Sequence, residues 1–296
     1  MKNEALNIIE DLKKYDELYV IGHNNIDCDS YFSSYILATI LKSFGINAHF
    51  CMLDDYKLLE DDKKIIEDFR REEPIILKRS DLADKTFVFV DHNDTDQSLQ
   101  GDYNVVLSLD HHIVTNKVKN TISIEYTSTG LFLYALFKDV YEFDQYLKDL
   151  IALTAMTDSC YLTTSRFKDS DKVLFDELNF SYDITETRKK YFKTTDFDLD
   201  MDYNITNNHK VYHVEDNEIN RVMIKGYDSD KKYMETYMNR SNEMYSNNLF
   251  IWNDFENMDT YVYFKGLFLK KYDYIITSSM LITKDLLHEV KKRKLM

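Results

Sequence analysis

Two runs of mainly β-branched and aromatic residues, TFVFVD at 86–91 and NVVLSLD at 104–110, constrain this chain more than any other feature. Neither alternates polar with apolar residues, as a strand with one wet face does. Both are rich in β-branched and aromatic side chains, and such a run suits a strand buried on both faces of a parallel sheet. Parallel strands need crossover connections, and helical patterns stand between the strand-like runs. LYVIG (18–22) reads as a further short strand. Residues 30–44 put apolar side chains at 31, 32, 35, 36, 37, 40, 41 and 44, a broad helical face with Ser30 as N-cap and Gly45 just past the end. INAHFCML reads as a strand, DDKKIIEDFRRE as a helix before Pro74, and TGLFLYALFKDV and YLKDLIALTAMTDS as helices. The expected fold class is α/β, a doubly wound and mostly parallel sheet.

Around 181–209 the apolar periodicity weakens, and TETRKKYFKTTDFDLDMDYNITNNHK reads as a connection with one short helix. Beyond it KVYHV, NRVMIKGY, NLFIWND, TYVYFKG and YDYIITSSM have strand character, interrupted by the helical DSDKKYMETYMNRSNEMY. The expected organisation is an N-terminal domain over 1–188, a linker over 189–208 and a smaller mixed α/β domain over 209–296, a length comfortable for two domains. No run reaches about 18 apolar residues, and the charged N-terminus has no signal-peptide core, so the expectation is a cytoplasmic protein with no membrane partner. Cys28, Cys51 and Cys160 are odd in number and far apart, which suits neither a disulfide framework nor a zinc knuckle. The net charge of -15 repels nucleic-acid polymers. A small anionic substrate would need a locally reversed field, which bound metal ions supply.

In doubly wound sheets ligands gather at the carboxyl ends of the strands. His23, Asp27 and Asp29 follow the first strand, Asp91 follows FVFV, and Asp110, His111 and His112 follow VVLSL. Asp158 closes an apolar helix in AMTDSC. Singly, each has an ordinary reading, as a loop histidine, a helix cap or a surface polar residue. Together they put four carboxylates (Asp27, Asp29, Asp91, Asp158) and two imidazoles (His23, His111) in one predicted layer, where uncompensated burial would be costly. That set exceeds the needs of one ion and suits two divalent ions about 3.5–4 Å apart. Oxygen and imidazole donors without thiolates point to Mn²⁺ or Mg²⁺, with Co²⁺ or Zn²⁺ as further options.

GHNNIDCDS, VDHND, LDHH and TDSCYLTTSRFKDSDK resemble the four signature motifs of the DHH phosphoesterase superfamily, and within it most nearly the manganese-dependent family II inorganic pyrophosphatases. The resemblance runs nearly end to end. The branch rests on the DHN form of the second motif and the short interval from Asp27 to Asp91. The resemblance implies His23 and Asp27 as ligands of a first metal, Asp29 and His111 of a second, and Asp91 and Asp158 shared by both. It implies that His112 contacts substrate phosphate and assists proton transfer, that His92 and Asn93 line the pocket, and that Asp110 orients a histidine. The implied reaction is hydrolysis of pyrophosphate to two phosphates by a metal-bridging hydroxide, in a cleft between the domains. LLHEVKKRKLM resembles the C-terminal segment in which an Arg-Lys pair grips phosphate, which makes Arg293 and Lys294 the matching positions. Arg166 and Lys168 are further candidates for phosphate contact, and a homodimer joined through an edge strand is a further expectation.

The chain departs from the family pattern at Ile26, where the family has Pro, and at Cys28, where Thr is usual. Met201 or Asp202 stands where the family carries a phosphate-gripping Lys. The first two are packing changes beside the ligands; the missing Lys keeps two alternatives in play: an exopolyphosphatase or small-nucleotide phosphoesterase of the same superfamily, and a non-catalytic binding or regulatory protein on the same fold. The GGGH motif of nucleotide-handling relatives is absent. Cys160 reads as a small buried hydrophobe, and Trp252 with the tyrosines of TYVYF as core.

Overall fold

The computed structural model describes residues 1–99, 103–114, 118–162, 167–191, 195–214, 217–254, 259–266 and 269–277. The chain forms two compact units, Met1–Leu162 with Arg166–Phe192, and Thr163–Ser165 with Lys193–Met296. The first contains, in chain order, α1 (Lys2–Leu12), β1 (Leu18–Ile21), β2 (Asn25–Ile26), α2 (Cys28–Ser43), β3 (Ala48–Leu53), β4 (Lys57–Leu58), α3 (Glu60–Phe69), β5 (Ile75–Leu77), β6 (Thr86–Val90), β7 (Asn104–Asp110), β8 (Thr121–Ser123), α4 (Thr129–Phe137), α5 (Gln145–Asp158), α6 (Asp169–Leu178) and α7 (Ile184–Tyr191).

The continuous apolar runs become the central strands of a parallel sheet, in the order β5-β3-β1-β6-β7-β8. Val20, Ile21 and Phe87 to Val90 are fully buried, as strands covered on both faces require. From β1 the chain winds outward through β3 to β5, then restarts beside β1 and winds the other way through β6, β7 and β8. The order therefore reverses between β1 and β6, the place where an open α/β sheet leaves a crevice for ligands. Register pairs Ile21 with Phe89, so Gly22-His23 and Asp91 leave the sheet side by side.

The start of α2 differs from expectation. Asp27, not Ser30, is the N-cap, and its Oδ1 accepts the Ser30 amide at 2.8 Å. A carboxylate in extended backbone reaches that amide directly, which frees the Ser30 hydroxyl to accept the His23 amide at 3.0 Å. The far end is as expected, with Gly45 left-handed at φ +79°. No disulfide joins any two of Cys28, Cys51 and Cys160. No helix among the described residues is long and apolar enough to cross a membrane.

The second unit contains α8 (Met201–Asn207), β9 (His209–Val214), β10 (Asn217–Gly226), α9 (Met234–Met244), β11 (Asn248–Asp254), β12 (Asp259–Gly266) and β13 (Leu269–Thr277). Its sheet runs β13-β12-β11-β10-β9 and is mixed, with β10 and β11 parallel and the other neighbours antiparallel. Val222, Ile224, Phe250, Trp252 and Tyr261 pack with Ile205 of α8 and Tyr237 of α9. The stretch 189–208 thus holds the end of α7 and the whole of α8. Asp200 caps α8 by accepting the Tyr203 amide, and the Asn204 side-chain amide donates to the Tyr237 hydroxyl at 3.0 Å.

Candidate metal centre

At the end of β1 only glycine fits. A Cβ on Gly22 would stand 2.0 Å from Ser30 Oγ, the atom that fixes the His23 amide. His23 Nε2 then lies 3.4 Å from Asp27 Oδ2 and 3.2 Å from Asp91 Oδ2. Asp27 divides its work, capping α2 with Oδ1 and facing His23 with Oδ2. Asp91 leaves β6 with φ +61°, a left-handed conformation that aspartate tolerates better than most residues. Its second oxygen, Oδ1, is 3.3 Å from His111 Nε2, so the carboxylate presents one oxygen to each imidazole.

Asp29, in the first turn of α2, is fully buried. Its Oδ1 accepts from Ser33 Oγ at 2.8 Å and the Gly130 amide at 2.9 Å, and its Oδ2 from the Thr129 amide at 2.7 Å. The amino end of α4 therefore points its free amides at a carboxylate, a favourable dipole arrangement. Thr129 Oγ1 also donates to Asp91 Oδ1 at 3.1 Å. His111 Nδ1 donates to the Tyr126 carbonyl at 2.9 Å, which fixes the neutral ring's tautomer and leaves the Nε2 lone pair facing inward. That Nε2 is buried without a hydrogen-bond partner, 3.3 Å from Asp91, 3.4 Å from Asp158 Oδ2 and 3.8 Å from Asp29 Oδ2.

A lone pair directed at three carboxylates is stable only with a cation between them, either a proton or a metal ion. Burial alone would lower the pKa of His23, but Asp27 and Asp91 outweigh it and push the imidazole up to about 11. For His111 burial is likewise overcome, by Asp91 and Asp158, to about 10. Asp91 moves the other way. Burial raises it, yet the two imidazoles hold it well below the ordinary carboxylate range. Burial, then Asp91 and Asp158, push Asp29 well above that range. Donor atoms of His23, Asp27 and Asp91 lie within 4.8 Å of one another, as do those of Asp29, His111 and Asp158. Asp91, Asp110, His111 and His112 form a third such group. The structure thus brings all six expected ligands together, and Asp91 joins the two sets. The donor types fit hard divalent ions.

Behind this layer Asp110 holds the following residues. Its Oδ1 accepts the amides of His111 at 2.7 Å and His112 at 3.1 Å and Nδ1 of His112 at 2.8 Å, while Oδ2 accepts from Asn93 Nδ2 at 2.6 Å. The His112 side chain is 35 % exposed and so can reach a ligand. His92 and Asn93 are both buried. His92 stacks on Phe89 and spends Nδ1 on the Val90 carbonyl and Nε2 on Ser98 Oγ, both at 2.9 Å. Its burial lowers its pKa to about 4, so the ring is neutral. Asn93 donates also to the Ile113 carbonyl. Both side chains are thus bonded within the chain. Lys168 pairs with Glu125 at 2.8 Å. Arg166, Arg293 and Lys294 lie outside the described residues. Sequence reasoning passed over Ser33, Thr129 and Gly130. Their signal is Ser128-Thr129-Gly130 ahead of an apolar run, and Ser128 Oγ indeed caps α4 by accepting the Leu131 amide.

Residues 17–164 match the sequence profile of the DHH family, N-terminal domain. The fold is similar to that of a candidate family II inorganic pyrophosphatase from Methanococcus jannaschii, with TM-score 0.63 and 19 % identity over 93 % of this chain and 98 % of that one. It is also similar to an exopolyphosphatase-related protein from Bacteroides fragilis, with TM-score 0.54 and 14 % identity over 99 % of this chain and 96 % of that one. No curated protein matches the chain by sequence.

Proposed function

The chain belongs to the DHH family, and from that premise we propose that it is a divalent-metal-dependent phosphohydrolase whose first substrate is inorganic pyrophosphate. The observation that carries this reading is the buried, unpartnered Nε2 of His111 facing three carboxylates. His23, Asp27 and Asp91 would hold one ion, and Asp29, His111 and Asp158 a second, with Asp91 turned to both; Mn²⁺ is the first choice and Mg²⁺ or Co²⁺ the next. Two such ions polarise phosphoryl oxygens and acidify a water near neutral pH. The chain's own part is to hold these donors rigid. His112, oriented through Nδ1 by Asp110, is the residue free to contact a phosphate oxygen and pass a proton. Arg293 and Lys294 remain proposals for gripping the leaving phosphate.

A second reading is hydrolysis of short polyphosphate or a small nucleotide. It draws on the absence of Lys where the related pyrophosphatases carry one, at Met201 or Asp202; the two oxygens of Asp202 are taken by Arg240 at 2.7 and 2.6 Å. Phosphate release from pyrophosphate, tripolyphosphate and a dinucleotide, each with added Mn²⁺, separates the two. The expected order puts pyrophosphate first, and Asp91→Ala should reduce its turnover by at least about a thousandfold. Unchanged hydrolysis in that variant would overturn the ligand assignment. No release from any of the three substrates would leave a silent binding protein as the reading.

A further inference from the structure

Helix α5 ends on Asp158, and the way it ends is unlike the other helix of the centre. The Cys160 amide donates to the Thr157 carbonyl at 3.2 Å, and the Tyr161 amide donates to that of Met156. This pair of bonds is a Schellman cap, which needs a left-handed residue just past the helix, usually glycine. Helix α2 closes with the same two bonds, Gly45 to Lys42 at 3.0 Å and Ile46 to Leu41 at 3.1 Å, and there glycine takes the position. At α5 the position belongs to Cys160, with φ +49°. Tyr161 and Leu162 follow at φ +60° and +66°. Three successive residues with a Cβ therefore occupy a region that side chains ordinarily visit singly.

Such strain persists only where the surroundings over-determine it. Tyr161 is buried, Leu162 packs against the core, and the Leu162 amide donates to Ser159 Oγ at 3.0 Å. The turn grips the last helical turn through the Met156 and Thr157 carbonyls, immediately before the carboxylate that stands 3.4 Å from His111 Nε2. Nothing in α5 itself favours a carboxylate there, because a helix presents its negative end at the C-terminus.

We infer that the left-handed Cys160–Tyr161–Leu162 turn is a positioning device that holds Asp158 in the Asp29–His111–Asp158 set. The inference rests on the metal-centre reading. Backbone geometry at Cys160, and not its thiol, sets how tightly the Asp158 carboxylate can hold a divalent ion.

The test is Mn²⁺ titration calorimetry, with melting curves of the metal-free chain, on wild type, Cys160→Val, Cys160→Gly and Cys160→Asn. Valine fits a positive φ worst, whereas glycine and asparagine fit it well. Cys160→Val should lose about tenfold or more in Mn²⁺ affinity. Cys160→Gly and Cys160→Asn should bind both as wild type does, and Cys160→Gly should melt higher. A valine variant that melts lower yet binds both ions normally would reduce the turn to a cap. Equal losses in the glycine and valine variants would assign the effect to the thiol, against the inference. If Cys160→Val does not fold, Cys160→Ala replaces it with an expected loss of a few fold, and unchanged affinity there overturns the idea. A wild type that takes up no Mn²⁺ removes the metal-centre reading itself, and the inference with it.

Discussion

At the scale of the residue, His111 and His23 set the behaviour of the centre. Each lies against carboxylates that hold a proton on it well above its ordinary range, to about 10 and about 11. In a metal-free chain the sign follows directly. Protonation stabilises the fold fully below the unfolded value near 6.5, and this contribution disappears as pH rises through 10 to 11. A divalent ion needs the same nitrogens without their protons, so loading both sets should release at least about two protons near pH 7. Each ion then competes with one imidazole proton, and its apparent affinity should rise about tenfold per pH unit between pH 6.5 and 8.5. Calorimetry in buffers of different ionisation enthalpy counts the protons, and a flat pH profile would contradict the geometry. The buried His92 should take no part, because its ring is already neutral and both nitrogens are bonded within the chain.

At the scale of the element, the approach of α4 to α5 keeps Asp29 in place. A Cβ on Gly130 would stand 2.3 Å from Thr154 Oγ1 and 3.0 Å from its Cγ2. Thr154 cannot easily withdraw, because its hydroxyl is shared with Ser128 Oγ and the Ile151 carbonyl. Gly130→Ala should destabilise by about 1–3 kcal/mol through overpacking. It should also weaken metal binding, because the Thr129 and Gly130 amides that hold Asp29 move with the helix. Adding Thr154→Ala removes the clashing atoms and should recover part of both losses, measured by chemical denaturation and Mn²⁺ titration. How legible such elements are in sequence depends on their length and burial. The runs that became β6 and β7 could be read because consecutive β-branched and aromatic residues persist through them, over strands that are mostly buried. The three-residue β5 and β8 could not, since so short a segment displays no period. The N-cap of α2 was misplaced because two good caps compete there, and the carboxylate reaches the amide that the serine itself owns. All six ligands could be named because each stands at the end or the start of an element. Thr129 and Gly130 were missed because they act through backbone amides, which leave only the faint mark of a helix start.

At the scale of the whole molecule, the chain concentrates its ligands in one unit and its single tryptophan in the other. All six candidate donors lie in Met1–Leu162, whose core is formed by residues of the first unit. Trp252 is fully buried in the separate core of the second unit, so its fluorescence reports that unit alone. With a net charge of -15, the chain would need cations at the proposed centre to accept an anion, and such cations would bind the folded first unit and not the unfolded chain. Each ion at about a hundred times its dissociation constant should therefore add about 2.7 kcal/mol to that unit. For a domain of this size that raises its melting midpoint by roughly 5–10 °C. Circular dichroism should register the rise, and a chelator should reverse it, while the Trp252 fluorescence transition stays where it was. If both probes move together by the same amount, the two units unfold as one, and the energy of the metal centre reaches a core that contains none of its ligands.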